Sequence, residues 1–266
     1  MRILVTNDDG IHAAGLIALR AALSKLGEVI AIAPDRPRSA CSHAVTLHKP
    51  LRLTRVELPD GGEGYASNGT PSDCIALGVS EHVGGPPDLV VAGINAGPNL
   101  GWDLTYSGTV AAAMEGAICG LPSLAISIAL TAAPAEPTAP AAPGGLDYSV
   151  AAEFASYLST AVIRHGLPQE TFLNVNVPAL PRQEITGIAI TQQGRVMYEN
   201  RIERRTDPRG GAYYWFTGDR LDHRGQPGSD IEAVARGRIS VTPIRLDLTD
   251  HDMLAHLRAW ELRWPG

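Results

Sequence analysis

The segment Thr6-Asn7-Asp8-Asp9-Gly10 places two adjacent carboxylates directly behind the apolar run Ile3-Leu4-Val5. Neighbouring like charges repel, so the pair needs a compensating interaction. Asp and Asn accept bonds from unpaired N–H groups and Gly permits a left-handed turn, which makes a turn and helix cap one reading. A cation is the other. Further donors follow: Ser39, Ser42 and His43 in APDRPRSACSHAVTL, then Asn95 and Asn99 in INAGPNLG, where glycines let the backbone approach a ligand. Two carboxylates, a hydroxyl and an amide oxygen suit a hard divalent cation, Mg²⁺ or Mn²⁺ first, with Ca²⁺ or Co²⁺ as alternatives. Zinc would want His or Cys. Ser107, Gly108 and Thr109 in TYSGTVAAAMEG stand at the start of a helical pattern, where free N–H groups and hydroxyls either cap the helix or seat a phosphate.

These residues need a scaffold that brings them to one place, and the first half of the chain reads as one. Arg2 to Thr6 is a short apolar strand, and Leu16, Leu19, Leu23 and Leu26 then recur at helical spacing across Gly15 to Leu26, as in a βα unit. Val29 to Ala33 is the next strand. Leu89 to Ile94 is apolar throughout and reads as a central parallel strand buried on both faces. Thr70 and Pro71 mark a helix start, Val110 to Ile118 another helix, and Ser123 to Ile128 another strand. The alternation predicts an α/β, three-layer, Rossmann-like and mostly parallel sheet. In such a sheet ligands bind beyond the carboxyl ends of the strands, where Asn7 to Gly10, Ser39 to His43 and Asn95 to Asn99 would converge.

Residues 146–266 would complete that core, established over 1–130, and add an arm. Thr131 to Gly145 is Pro- and Ala-rich without an apolar period, so an exposed loop is expected there. Val150 to His165 reads as a helix, and Phe172 to Val177, Gly187 to Thr191 and Ile239 to Pro243 read as strands. Arginines 195, 201, 204, 205, 209, 220 and 224 surround Tyr213-Tyr214-Trp215-Phe216, which follows the turn Pro208 to Gly211; this predicts a C-terminal β-hairpin arm whose aromatics contact another subunit. A helix near Asp252 to Leu262 closes the pattern.

The chain of 266 residues is 44% hydrophobic and 19% charged, enough for one large core. A formal net charge of -6 argues against coating nucleic acid, which takes excess positive charge. Cys41, Cys74 and Cys119 show no CxxC spacing, and no histidine falls in an HExxH pattern. A reduced, cytoplasmic setting is expected, with no membrane segment.

TNDDGI, APDRPRSACSHAVTL, NGTPSDC, GINAGPNLG, YSGTVAAAMEG, NVNVP, ERRTDPRGGAYYW and SVTP, in that order, make the sequence resemble the SurE family of metal-dependent nucleotidases. The resemblance runs from Met1 to about Leu248. It implies a 5'/3'-nucleotidase that releases phosphate from nucleoside monophosphates, with some polyphosphate activity, in dimers or tetramers that exchange C-terminal segments. The family's metal ligands fall on Asp8, Asp9, Ser39 and Asn95, and its phosphate-lining segments on Asn99, Ser107, Gly108 and Thr109. Asn7, Gly10, Ser42 and His43 flank these as further substrate contacts; many members carry Asn where His43 stands. Asp8 or Asp9 would orient the attacking water, with an aspartyl-phosphate route as the second choice. His43 is either an acid for the leaving alkoxide or a plain loop residue. The competing readings are a phosphoacceptor domain, which would want a carboxylate at Asn95, and a non-catalytic nucleotide-binding module.

Overall fold

The computed structural model describes residues 1–80, 83, 85–130, 145–195, 201–217 and 226–264. The expected Pro/Ala loop therefore lies outside the described residues apart from Gly145, as do Arg220 and Arg224. Eleven strands and six α-helices are described: β1 (Arg2–Thr6), α1 (Ala14–Leu23), β2 (Glu28–Pro34), β3 (Leu53–Glu57), β4 (Glu63–Ser67), α2 (Pro71–Val79), β5 (Leu89–Asn95), α3 (Gly108–Ile118), β6 (Ser123–Ala129), α4 (Ser149–His165), β7 (Thr171–Pro178), β8 (Ile188–Ile190), β9 (Ile202–Thr206), β10 (Ala212–Phe216), α5 (Asp230–Ala235), β11 (Ile239–Arg245) and α6 (His251–Ala259).

Nine strands form one sheet in the order β3-β4-β2-β1-β5-β6-β7-β11-β8. Pairings from β4 through β7 are parallel, while β3 runs against β4 and β11 against β7. Helix α1 packs against α4 on one face and α2 against α3 on the other. Side chains of β5 alternate between the two layers from Leu89 to Ala92, Leu89 and Val91 in the α1/α4 core and Val90 and Ala92 in the α2/α3 core, and an irregularity before Asn95 places Ile94 in the α1/α4 core as well. A strand buried on both faces has no solvent side, which is why this segment reads as unbroken apolar sequence. Each such Leu, Val or Ile contributes roughly 1.5–3 kcal/mol of hydrophobic stabilisation. The fold is the three-layer Rossmann-like α/β sheet with a C-terminal hairpin.

Two features depart from the sequence pattern. The β3–β4 hairpin has no counterpart in it: β3 is a half-exposed edge strand carrying Arg55 and Glu57, so charge replaces the alternation that marks a strand. Helix α1 stops at Leu23 rather than Leu26, because the Ser24 hydroxyl donates to the Ala21 carbonyl at 2.9 Å and the chain then turns into Gly27. Among the described residues no helix is long and apolar enough to cross a membrane.

Candidate functional site

The loop after β1 does not cap the following helix. Helix α1 begins with Ala13 at its N-cap and no side-chain cap bond. Its turn is built instead by Asn7, whose Oδ1 accepts the Gly10 N–H at 3.1 Å, and by Gly10 itself at φ 107°. Few side chains tolerate that φ. The loop is fastened to the end of β2, where the Ile11 N–H donates to the Pro34 carbonyl at 2.9 Å. Both features leave the two carboxylates free for another task.

Asp8 is only 5% exposed. Its Oδ1 accepts the Thr109 hydroxyl at 2.6 Å, across the gap between β1 and the first turn of α3. Burial pushes the Asp8 carboxyl above its ordinary value, against the Thr109 hydroxyl and the backbone of Asp8, Thr109 and Gly108, which pull it down. Asp9 is raised by burial and by the charge of Asp8, with the Ala96 N–H, 3.2 Å from its Oδ2, acting the other way. The same negative field reaches further. The Cys41 thiol is raised by burial and Asp8, and the Tyr148 phenol by burial and Asp9. Neither aspartate has an ion-pair partner among the described residues. A buried carboxylate beside a second, half-buried one is costly to ionise unless a cation joins them.

Other expected donors stand around this pair. Asn95, at the end of β5, gives its Nδ2 to the Gly97 carbonyl at 2.8 Å, which leaves Oδ1 as the atom available to a cation. Ser39 is exposed on the loop after β2, and the Arg38 N–H holds that loop to the Asp8 carbonyl at 2.7 Å. Ser42 is anchored to the segment before α3, its N–H on the Tyr106 carbonyl at 3.0 Å and its hydroxyl on the Thr105 carbonyl at 2.8 Å. His43 turns to Glu115 of α3, with Nε2 and Oε2 2.6 Å apart.

The start of α3 completes the arrangement. Ser107 is the N-cap and its hydroxyl accepts the Val110 N–H at 3.1 Å, so the capping role of this residue is realised. Gly108 is required by space: a Cβ there would stand 2.8 Å from Cys41 Sγ and 2.9 Å from Asp8 Cβ. Helix start and carboxylate are thus in van der Waals contact. Asn99 donates from Nδ2 to Ser127 Oγ of β6 at 2.8 Å, which commits one of its two side-chain N–H groups. Sequence patterns did not single out Glu115, which stands unremarked in YSGTVAAAMEG, nor Tyr148 and Ser127, which lie in no motif.

An oxygen-only donor set fits a hard cation: among the described residues Asp8 and Asp9 have no ion-pair partner and the Asn95 amide oxygen has no donor, and Ser39 is exposed. Among the described residues no group of three His, Cys, Asp or Glu gathers.

Fold and site together define a Rossmann-like α/β protein with a carboxylate pair at the central strand ends, set against a helix N-terminus. The family model described as Survival protein SurE matches residues 3–200. A relative from Moorella thermoacetica, 5'-nucleotidase SurE, is 48% identical over 100% of this chain and 98% of its own length. One of the same name from Geobacter sulfurreducens is 48% identical over 98% and 94%. The crystal structure of the SurE protein from Aquifex aeolicus superposes with a TM-score of 0.81 at 37% identity, covering 98% of this chain and 100% of that one. The chain belongs to the SurE family.

Proposed function

We propose that the protein is a divalent-metal-dependent phosphomonoesterase acting on nucleoside 5'-monophosphates, and on 3'-monophosphates and polyphosphate as secondary substrates. The observation that carries this reading is the buried Asp8 beside the half-buried Asp9, without an ion-pair partner among the described residues and set against the first turn of α3. Relatives named 5'-nucleotidase at 48% identity over nearly the whole chain support the substrate class. In this reading Asp8, Asp9, Ser39 and Asn95 hold one Mg²⁺ or Mn²⁺. The bound ion supplies charge neutralisation at the phosphate and acidifies a water.

The chain's own residues divide the remaining work. The carboxylate of Asp9, more open than Asp8, orients the attacking water and accepts its proton. Asp8 is fixed by Thr109 and serves mainly as a ligand. The N–H groups and hydroxyls of Ser107, Gly108 and Thr109, with the remaining amide hydrogen of Asn99, offer preorganised donors to the phosphate oxygens. Asn7 and Gly10 shape the loop, and Ser42 braces the segment that carries Ser39. His43 is bonded to Glu115, so its reading here is a loop residue rather than the acid for the leaving alkoxide. Water attack is preferred to an aspartyl phosphate because Asp8 and Asp9 would each give an oxygen to the cation, Asp9 keeping its other oxygen for the water. The exposed hairpin and C-terminal helix serve a homodimer or homotetramer.

The test is phosphate release from 5'- and 3'-nucleoside monophosphates and from polyphosphate, in Mg²⁺ or Mn²⁺. Catalytic release, fastest from 5'-monophosphates, is expected. One-time covalent uptake of phosphate would instead identify a phosphoacceptor, and unchanged retention of nucleotide a binding module.

A further inference from the structure

Residues 96–100, between β5 and the 3-10 helix Gly101–Thr105 that leads to α3, have few backbone partners of their own. They are held instead by buried side chains from three other elements. The Asn99 N–H donates to Asn176 Oδ1 at 2.8 Å, and the Asn99 carbonyl accepts Nδ2 of Asn174 at 2.9 Å and Nδ2 of Asn176 at 3.0 Å. Both asparagines lie on β7, two residues apart on one face of the strand, and both are fully buried. The Asn99 side chain is bonded to Ser127 of β6. Two residues on, the Gly101 N–H donates to Asp230 Oδ2 at 2.8 Å, and the Gly101 carbonyl accepts Gln193 Nε2 at 3.0 Å. Asp230, at the start of α5, is also fully buried, and its other oxygen accepts the Gly194 and Ile231 N–H groups at 2.8 Å each.

Core strands rarely carry buried amides without a task, because a buried polar group without its partner costs about 1–3 kcal/mol. Here the amides converge on one backbone unit, that of Asn99. Bonding of this kind fixes position and direction together, since donor and acceptor of one peptide segment are engaged by the same Asn176 side chain.

We infer that Asn174, Asn176 and Asp230 are positioning residues that clamp the Asn99–Gly101 segment and thereby set the distance between the carboxylate centre and the phosphate-seating start of α3. This rests on the phosphomonoesterase reading of the site. None of the three belongs to the metal set or to the phosphate-contacting set. Misplacement of a reacting group by about 1 Å can cost on the order of a hundredfold in rate.

The experiment compares wild type with Asn176→Asp, Asn174→Ser and Asp230→Asn. Asn176→Asp keeps the acceptor for the Asn99 N–H but removes the donor to its carbonyl; Asn174→Ser is the milder change if that variant fails to fold. Thermal melting, Mn²⁺ affinity by calorimetry, inorganic phosphate affinity in the presence of Mn²⁺, and kcat and KM for a nucleoside monophosphate are measured on each. Folded variants that bind Mn²⁺ within about twofold of wild type, yet lose roughly ten- to a hundredfold in kcat and severalfold in phosphate affinity, support the clamp. Variants that melt earlier but retain wild-type kcat, KM and phosphate affinity per folded molecule overturn it and leave the network a stabilising one. A wild type that releases no phosphate defeats the enzymatic reading alone; the clamp is then decided by phosphate affinity, which must still fall in the variants.

Discussion

At the residue scale the account turns on Asp8 and Asp9. Their carboxyls are raised, chiefly by burial, so the folded protein holds protons there more tightly than the unfolded chain does. Above the ordinary carboxylate value of 3.8 the folded state then carries the excess protons, and metal-free stability falls as pH rises through the interval up to the folded values. A divalent cation offsets that loss. The melting temperature gained on adding Mn²⁺ to metal-stripped protein should therefore be small in acid and grow toward neutral pH; an equal gain at every pH would contradict a carboxylate-bound ion. The pair itself was legible in sequence as two carboxylates after an apolar run, with a helix cap and a cation both open as readings; the absence of a side-chain cap bond on α1 weakens the first. The Thr109 contact was not, since 101 positions separate donor and acceptor. Asn99 shows the same limit: its residue type was readable, but its partners on β6 and β7 depend on strand order.

At the element scale, helix starts organise the rim. Thr70 forms a capping box with Asp73 at the start of α2: its hydroxyl accepts the Asp73 N–H at 3.1 Å, and Asp73 Oδ2 accepts the Thr70 N–H at 2.8 Å. The Thr70 hydroxyl also donates to the Ala44 carbonyl at 2.7 Å and Asp73 Oδ1 accepts the Thr46 N–H at 2.9 Å, so the cap ties down the loop that begins with Ser39. Burial alone would raise the Asp73 carboxyl, but its bonds to Thr46 and Thr70 outweigh it and hold it below its ordinary value. That stability is present above the unfolded carboxylate range and is lost as pH falls through the folded value. Thr70→Ala should cost about 1 kcal/mol in denaturant unfolding at neutral pH, with a smaller difference from wild type in strong acid. A neutral-pH cost near zero would show the cap to be idle. Thr70-Pro71 was readable as a helix start because capping chemistry is local. The β3–β4 hairpin was not, because its charges follow solvent exposure rather than strand period.

At the scale of the whole molecule, the two-stranded hairpin of β9 and β10 forms no part of the central sheet. Tyr214 and Phe216 lie two residues apart and are 62% and 90% exposed, with Arg204 and Ile202 opposite them across the hairpin. Aromatic area of that kind is characteristic of surfaces that meet another chain. The double variant Tyr214→Ser with Phe216→Ser should lower the mass seen by light scattering by at least one assembly step, with the secondary structure retained; an unchanged mass would place the subunit contact elsewhere. Aromatic composition and the turn Pro208 to Gly211 made the arm legible, whereas β11 returning antiparallel to β7 required the complete sheet. The central claim is that the strand-end carboxylates exist to hold a cation against a phosphate ester. Metal-stripped wild type and Asp8→Asn, each assayed for phosphate release from a nucleoside 5'-monophosphate with and without Mn²⁺ or Mg²⁺, test it most directly. Release restored by metal in wild type, and at least a hundredfold weaker in Asp8→Asn, is the predicted result; equal release by the two proteins, or release independent of metal, would contradict it.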